Sequence, residues 1–267
     1  MIAAALSAVL LSATPRLEAA ASAGGGYDSN PGQVDTTVSS AGAGFALLRA
    51  SGGASLDLGR STNVYAGVRF SDDEYPSYSD LTTRAVGLDA SLVQELGEHT
   101  ALVFMPWVAW SWAGDPARDA TTLAAQLTLR ARPVRDLTLR GTYALTSQDA
   151  ADPVFSSVRN RLGASIEWRF APRTYLSLAG SVDHGDQVFY RSVAVGGGGP
   201  GMGFRQGSNT LEEPYREMAT TWGIGPALEV GLAPGLYALG SYELRWVTSS
   251  TTDLFTQSLF FGVGARL

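Results

Sequence analysis

The chain is organised by a two-residue alternation of apolar and polar positions. Near its end, Phe255, Gln257, Leu259, Phe261, Val263, Ala265 and Leu267 share one face. Thr256, Ser258, Gly262, Gly264 and Arg266 share the other. Successive side chains of a strand point to opposite sides, so such a run predicts a strand with one apolar face. Trp222 to Leu232, Leu236 to Trp246 and Leu162 to Phe170 read the same way. Twelve strands are expected, at roughly 24–32, 43–58, 63–71, 81–95, 100–113, 120–132, 136–147, 155–170, 173–184, 217–232, 235–248 and 254–267. Two kinds of connection alternate between them. Gly59–Thr62, Gly97–Thr100, Pro133–Asp136, Ala171–Arg173 and Ala233–Gly235 are short and rich in breakers. Asp72–Asp80, Gly114–Asp119, Ser147–Pro153, Gly185–Arg216 and Ser249–Asp253 are longer and polar.

Short turns at one end and longer loops at the other predict an all-β fold, a single antiparallel up-and-down transmembrane barrel. An even strand count returns both termini to the short-turn side, the periplasmic side of an outer membrane. A soluble sandwich also alternates, but its outer face meets water and is densely charged. Here the face opposite the apolar one is mostly Gly, Ser, Thr and Ala, and only 16% of the chain is charged, against about 25% in ordinary soluble domains. Phe70, Trp110, Trp112, Trp222, Trp246 and Phe255 fall near the loop ends, and Trp168 and Phe170 near the turn ends. Two such belts suit the two lipid–water interfaces.

Residues 1–23 have another character. Ile2 to Ala13 is apolar, Pro15-Arg16 breaks it, and Ala21-Ser22-Ala23 has the small-residue pattern of a cleavage site. This order predicts a secretory signal at 1–23 followed by a barrel at 24–267, although no basic residue precedes the apolar run. The 267 residues contain no Cys, and all 19 basic residues are Arg. Disulfides, thiolate metal sites and a cysteine nucleophile are therefore excluded. A net charge of −6 without an Arg cluster argues against nucleic acid as a partner. The expected partners are outer-membrane lipid, the barrel-assembly machinery and a small polar solute; no cofactor or metal is expected.

Gly24-Gly25-Gly26-Tyr27-Asp28-Ser29-Asn30-Pro31 resembles the first strand of bacterial outer-membrane barrels found behind periplasmic tetratricopeptide repeats, including surface-lipoprotein assembly modifiers. The resemblance implies an outer-membrane barrel whose first strand leaves the membrane into an external loop. No repeat domain precedes the barrel here, and the final residue is Leu267 rather than the Phe or Trp usual in such barrels.

Parity places a charged set inside the barrel: Asp57, Arg69, Asp89, Arg130, Arg140, Arg161, Glu167, Arg169, Asp183, Glu229, Glu243 and Arg245. These residues fit two structures, a polar conduit lined by charge or a salt-bridged plug. A pore for small polar solutes and a non-conducting assembly or anchoring barrel are thus the two leading functions. A hydrolase is the third. His184, with Asn160 as its expected cross-strand neighbour, suggests a lipid-facing esterase, but Asp186 stands where a nucleophile is needed, and Ser156 is about 13 Å along the strand from Asn160. His99 falls in a turn. Catalytic residues are therefore not expected. The glycine run Gly196–Gly199 lacks the Lys and helix of a phosphate cradle.

Overall fold

A computed structural model describes residues 14–31, 42–194 and 210–267. Twelve strands form one closed sheet: β1 (Arg16–Asp28), β2 (Ala43–Asp57), β3 (Thr62–Glu74), β4 (Thr83–Gly97), β5 (Thr100–Ala113), β6 (Ala120–Val134), β7 (Leu137–Ala150), β8 (Ser157–Ala171), β9 (Thr174–Ala194), β10 (Thr210–Ala233), β11 (Leu236–Ser249) and β12 (Asp253–Arg266). Every strand pairs antiparallel with its sequence neighbours, and β1 closes on β12 from Ala20↔Arg266 to Asp28↔Ser258. Closure leaves no edge, so every strand has a partner on both sides, as a sheet surrounded by hydrocarbon requires.

The expected alternation decides which side faces out. The large apolar residues of β3 to β12 lie on the outer surface: Leu162 is 63%, Phe261 62% and Trp168 53% exposed. A water-soluble protein would not present a continuous surface of this kind. The exterior is therefore one that hydrocarbon solvates, and the expected barrel is the observed one.

The short turns fall where breakers predicted them. Gly59 and Gly235 carry φ of 139° and 75°, and Arg173 carries 60°, the left-handed geometry that tight hairpins use. Four of these turns are accompanied by a register shift, at Glu95/Gly97, Ala131/Val134, Arg169/Ala171 and Gly231/Ala233. Such bulges accommodate the odd residue where the strand reverses. Both β1 and β12 have their outer ends on this side, where the Leu267 N–H donates to Ala19 O at 2.9 Å.

Two boundaries differ from expectation. The first strand begins at Arg16, not near 24, and Arg16–Asp28 pairs with Asp28's partner strand β2 along its whole length, from Arg16↔Ser55 to Asp28↔Ala43. Ala21-Ser22-Ala23, the expected cleavage site, lies inside this strand. Its small residues serve a second purpose there, because a wall of Ala, Ser and Gly leaves lumen space. The other difference concerns the long connection expected at Gly185–Arg216. The hairpin continues instead, with β9 and β10 paired from Thr174↔Val230 out to Ala194↔Thr210. Residues 185–194 carry β9 about 30 Å past the end of its pairing with β8 at Arg159↔Gly185. The pairing runs through the backbone and continues although the composition of 185–194 and 210–216 is that of a polar loop. The Gly196–Gly201 run lies outside the described residues.

Gly185 sits at the base of this extension with φ 153°. A Cβ there would lie 2.2 Å from Val158 O, so only glycine fits against β8 at the point where β9 rises past it.

Candidate functional site

Opposite the apolar exterior, the inward positions are small or polar, and most of the charged residues among them are held by one another. Arg69 Nη2 lies 3.5 Å from Asp89 Oδ2. Arg140 reaches both carboxylate oxygens of Glu167 at 3.3 Å. Arg161 donates through Nε and Nη2 to Asp183 at 2.6–2.8 Å. Arg169 pairs with Asp136, Asp57 with Arg16, and Glu229 with Arg266 at 2.6 Å. Arg245 Nη2 donates to Asp28 at 3.4 Å, while its Nε lies 3.2 Å from Glu243 Oε2 without hydrogen-bond alignment.

The geometry of these pairs matters more than their presence. Arg69–Asp89, Arg140–Glu167, Arg161–Asp183 and Arg16–Asp57 join adjacent strands. Arg245–Asp28 and Arg266–Glu229 each step over one strand. Among the described residues no ion pair spans the lumen to an opposite strand. The charges lie along the wall.

Among the described residues, Arg130 is the member of the expected set without an ion pair. It is the cross-strand neighbour of Arg140 on β6, and Arg132 stands two residues further toward the turn. Arginines thus predominate on β6, β7 and β8, where Arg130, Arg132, Arg140, Arg159, Arg161 and Arg169 share the inward parity. Carboxylates predominate on the other strands.

Space remains between these walls. A cavity of about 580 Å³ is lined by Thr128, Arg140, Thr142, Arg161, Ser165, Ser181, Ser241 and Glu243, among others. A second, of about 400 Å³, lies against β1 to β4, with Ser22, Arg49, Tyr65, Arg69 and Asp89 in its wall. Glycines help to keep the first open, since Gly163, Gly180, Gly223 and Gly225 contribute no side chain to it. Arg69 also lies 5.0 Å from the inward ring of Trp107, a contact that holds the guanidinium flat against the wall.

The loop-side mouth is more ordered than an external loop need be. Three short 3-10 turns sit on it, at Ser79–Leu81, Pro116–Arg118 and Pro153–Phe155. The latter two share a local code: Asp115 accepts the Ala117 N–H at 3.0 Å and Asp152 accepts the Val154 N–H at 2.9 Å, each ahead of a Pro. Arg118 Nη1 ties Asp80 O to the Tyr190 hydroxyl, each at 3.4 Å. Beside them Phe189, which is 0% exposed, packs with Ala219, Val247 and Leu254. This cluster is the largest piece of ordinary apolar core among the described residues.

The outer rim carries His184, whose Nδ1 is 3.0 Å from Thr220 Oγ1. Asn160 is its cross-strand partner as expected, but the Asn160 amide oxygen accepts the Tyr143 hydroxyl at 2.7 Å. Asp183 faces the lumen and Arg161, while Asp186 accepts the Val158 N–H at 3.0 Å. His184 and Asp183 thus face opposite sides of the sheet, and Asp186 is engaged by the β8 backbone.

Several inward charges escaped the sequence reading. Arg16 and Glu18 lie ahead of the expected first strand at 24–32, whereas Asp28 lies within it, at the end of β1. Arg49 and Arg159 did carry a signal, being in phase with Arg69's neighbours and with Arg161. Asp136 and Arg266 lie at strand ends, where parity is hardest to assign.

The chain matches no protein-family model and no curated protein sequence. It is similar in structure to the NanC porin, at TM-score 0.53 and 11% identity over 94% of this chain and 100% of that one. It is similar also to an outer-membrane channel from Pseudomonas putida F1, at TM-score 0.53 and 10% identity over 94% and 95% of the two chains. At these identities the likeness is one of fold, that of the bacterial outer-membrane barrel.

Proposed function

We propose that this chain is an outer-membrane pore through which small polar solutes pass. The observation that carries the reading is the run of ion pairs along the wall. A plug would tie opposite strands together through the lumen, whereas here Arg140–Glu167, Arg161–Asp183 and Arg69–Asp89 neutralise charge locally and leave hydroxyl-lined space between. Low net charge on the wall with polar lining suits a hydrated solute, which must enter without being held too tightly. The apolar outer surface supports lipid as the surrounding phase, which on this reading the barrel reaches through the barrel-assembly machinery, with the short turns in the periplasm. That the two structural neighbours named above are a porin and a channel agrees with the proposal.

Single-channel recording of the full chain in a planar bilayer tests it: discrete conductance steps are expected. A folded, heat-modifiable barrel that passes no current would overturn the reading. The second reading, a non-conducting envelope barrel, has one observation in its favour, the Arg118 contacts that draw three loops together over the mouth. The resemblance of Gly24–Pro31 to barrels behind tetratricopeptide repeats belongs with that reading.

A further inference from the structure

Arg159 stands on β8, two residues loopward of Arg161 and on the same inward face. The two arginines are treated differently. Arg161 takes both oxygens of Asp183, and among the described residues Arg159 has no ion pair and no hydrogen-bond acceptor for its guanidinium. It lines a cavity of about 190 Å³ at the mouth with Arg118, Gln148, Ser157 and Gln187. Among the described residues, Arg118 donates to neutral oxygens, Asp80 O and the Tyr190 hydroxyl. One carboxylate, Asp186, is also in the wall, with Oδ2 taken by the Val158 N–H. A partly buried guanidinium without a direct ion pair is costly to keep, and the nearby Asp183 carboxylate, whose two oxygens are taken by Arg161, compensates Arg159 only at a distance. Arg159 presents a planar fork of five donors to this polar space.

On the reading of this chain as a pore, we infer that Arg159, with Arg118 beside it, forms an oxyanion subsite at the mouth, and that the solute is a carboxylated or phosphorylated polyol. The oxyanion docks bidentate on the Arg159 fork, in the manner typical of guanidinium–carboxylate pairs. Below it the 580 Å³ cavity offers Thr128, Thr142, Ser165, Ser181 and Ser241, hydroxyls that exchange hydrogen bonds with a polyol as readily as water does. The arginine wall then continues as Arg161, Arg140 and Arg130. The middle two are neutralised and the last is unpaired, so the anion is drawn in, passes a weakly charged stretch, and meets free cationic charge again near the turns.

Gluconate and sorbitol test the inference, since they share a carbon chain and differ by a carboxylate. Two measurements are made on the full-length folded barrel: current interruption in bilayers, and equilibrium binding to the detergent-solubilised protein. Gluconate should interrupt current and bind where sorbitol does neither. Arg159→Gln should weaken gluconate about tenfold to a hundredfold, the loss of charge-assisted hydrogen bonds. Arg159→Lys should recover part of the affinity, because charge returns without the fork. Arg60→Gln, in the Gly59–Thr62 turn and outside the arginine wall, should leave binding unchanged. Equal behaviour of gluconate and sorbitol, or wild-type affinity in Arg159→Gln, would overturn the subsite. Conduction without gluconate binding sinks the subsite and leaves the pore. Binding lost in Arg159→Gln in a barrel that never conducts sinks the pore and leaves the subsite.

Discussion

Asp28 and Arg245 are 217 residues apart in the chain and meet inside the barrel, across the strand that closes it, with Arg245 Nη2 donating to Asp28 Oδ2 at 3.4 Å. Asp28 is the last residue of β1, is 7% exposed, and its Oδ1 accepts the Asn30 N–H at 2.9 Å. One carboxylate therefore shapes the exit of the first strand and fastens β1 to β11 over β12. The Gly-Tyr-Asp-Ser-Asn string reads, in these terms, as a seam: Ser29 completes it, its N–H donating to Gln257 O and its Oγ accepting the Gln257 N–H, both at 2.9 Å. Asp28→Ala should cost about 1–3 kcal/mol, since it strands a buried donor on each side. Asp28→Asn keeps the turn and loses the ion pair, so it should cost less. Urea unfolding from lipid vesicles gives the comparison, and equal loss in both variants would show that the ion pair alone matters.

The start of β1 leads to a prediction about processing. A cut after Ala23 would leave Gly24–Asp28 as the whole first strand and strip partners from Leu48–Ser55 on β2 and Val263–Arg266 on β12. Unpaired backbone at membrane depth costs several kcal/mol per group. The mature chain should therefore retain Arg16, which mass spectrometry of the N-terminal peptide will show. A chain deleted through Ala23 should not give a heat-modifiable barrel. Efficient folding of that deletion would return Ala21-Ser22-Ala23 to the role of a cleavage site.

Topology can be read by labelling. Cysteine at Ser77, between β3 and β4 on the loop side, should react with an impermeant maleimide on intact cells, and cysteine at Glu98, in the β4–β5 turn, should not. Equal reactivity would place the barrel wrongly in the membrane. The lipid face has its own check. Leu228 and Leu244 are outward residues in mid-strand, paired with Leu176 and Ile224 respectively, and Arg at either should cost about 2–4 kcal/mol in lipid. Ser165→Arg, inward and beside the 580 Å³ cavity, is the control and should cost less. Gly225 would be a poor control despite its inward parity, because a Cβ there falls 2.3 Å from Tyr242 O.

How much of this was legible in the sequence follows from what alternation can and cannot encode. Strand number, facing and the short turns were readable because Leu228, Trp246 and Phe261 answer to lipid one residue at a time. The partners of the charged residues were not. Arg140 and Glu167, or Arg266 and Glu229, meet through register and barrel stagger, which parity does not contain. The start of β1 was misread because Ala-rich strand and Ala-rich cleavage site are written in the same residues. The β9–β10 extension was misread because polar strands above a membrane resemble loops in composition, and only Gly185 marks the place where one becomes the other.

Acid should loosen the mouth at one identifiable point. Glu217, on the loop-side extension of β10, is held below the ordinary carboxylate range by hydrogen bonds from the side chains of Ser250 and Thr251, with the Ser250 N–H adding a further bond at 3.1 Å. A depressed carboxylate pKa contributes stability that is present above the unfolded-state value and is lost as pH falls through the folded one. The loop at 250–252 should thus become more accessible to protease in acid, and Glu217→Gln should abolish that pH dependence. An unchanged acid response in Glu217→Gln would assign it to another group.

The wall ion pairs make the sharpest statement about the lumen, because they predict that removing arginine does more than remove positive charge. Arg140 and Arg161 each neutralise a carboxylate, Glu167 and Asp183. Arg140→Ala with Arg161→Ala therefore subtracts two positive charges from the wall and releases two unpaired negative ones into it. Charges in a narrow lumen bordered by low dielectric bias which ions enter. The double variant should shift the reversal potential in a salt gradient toward cations and, by removing bulk, raise conductance. The companion variant Arg140→Ala with Glu167→Ala removes a neutral pair and should raise conductance with little change in selectivity. If both variants shift selectivity equally, the pair is not neutralised in the folded wall. If neither alters current while both lower stability, the arginines are structural fastenings, and the route of the solute lies elsewhere in the lumen.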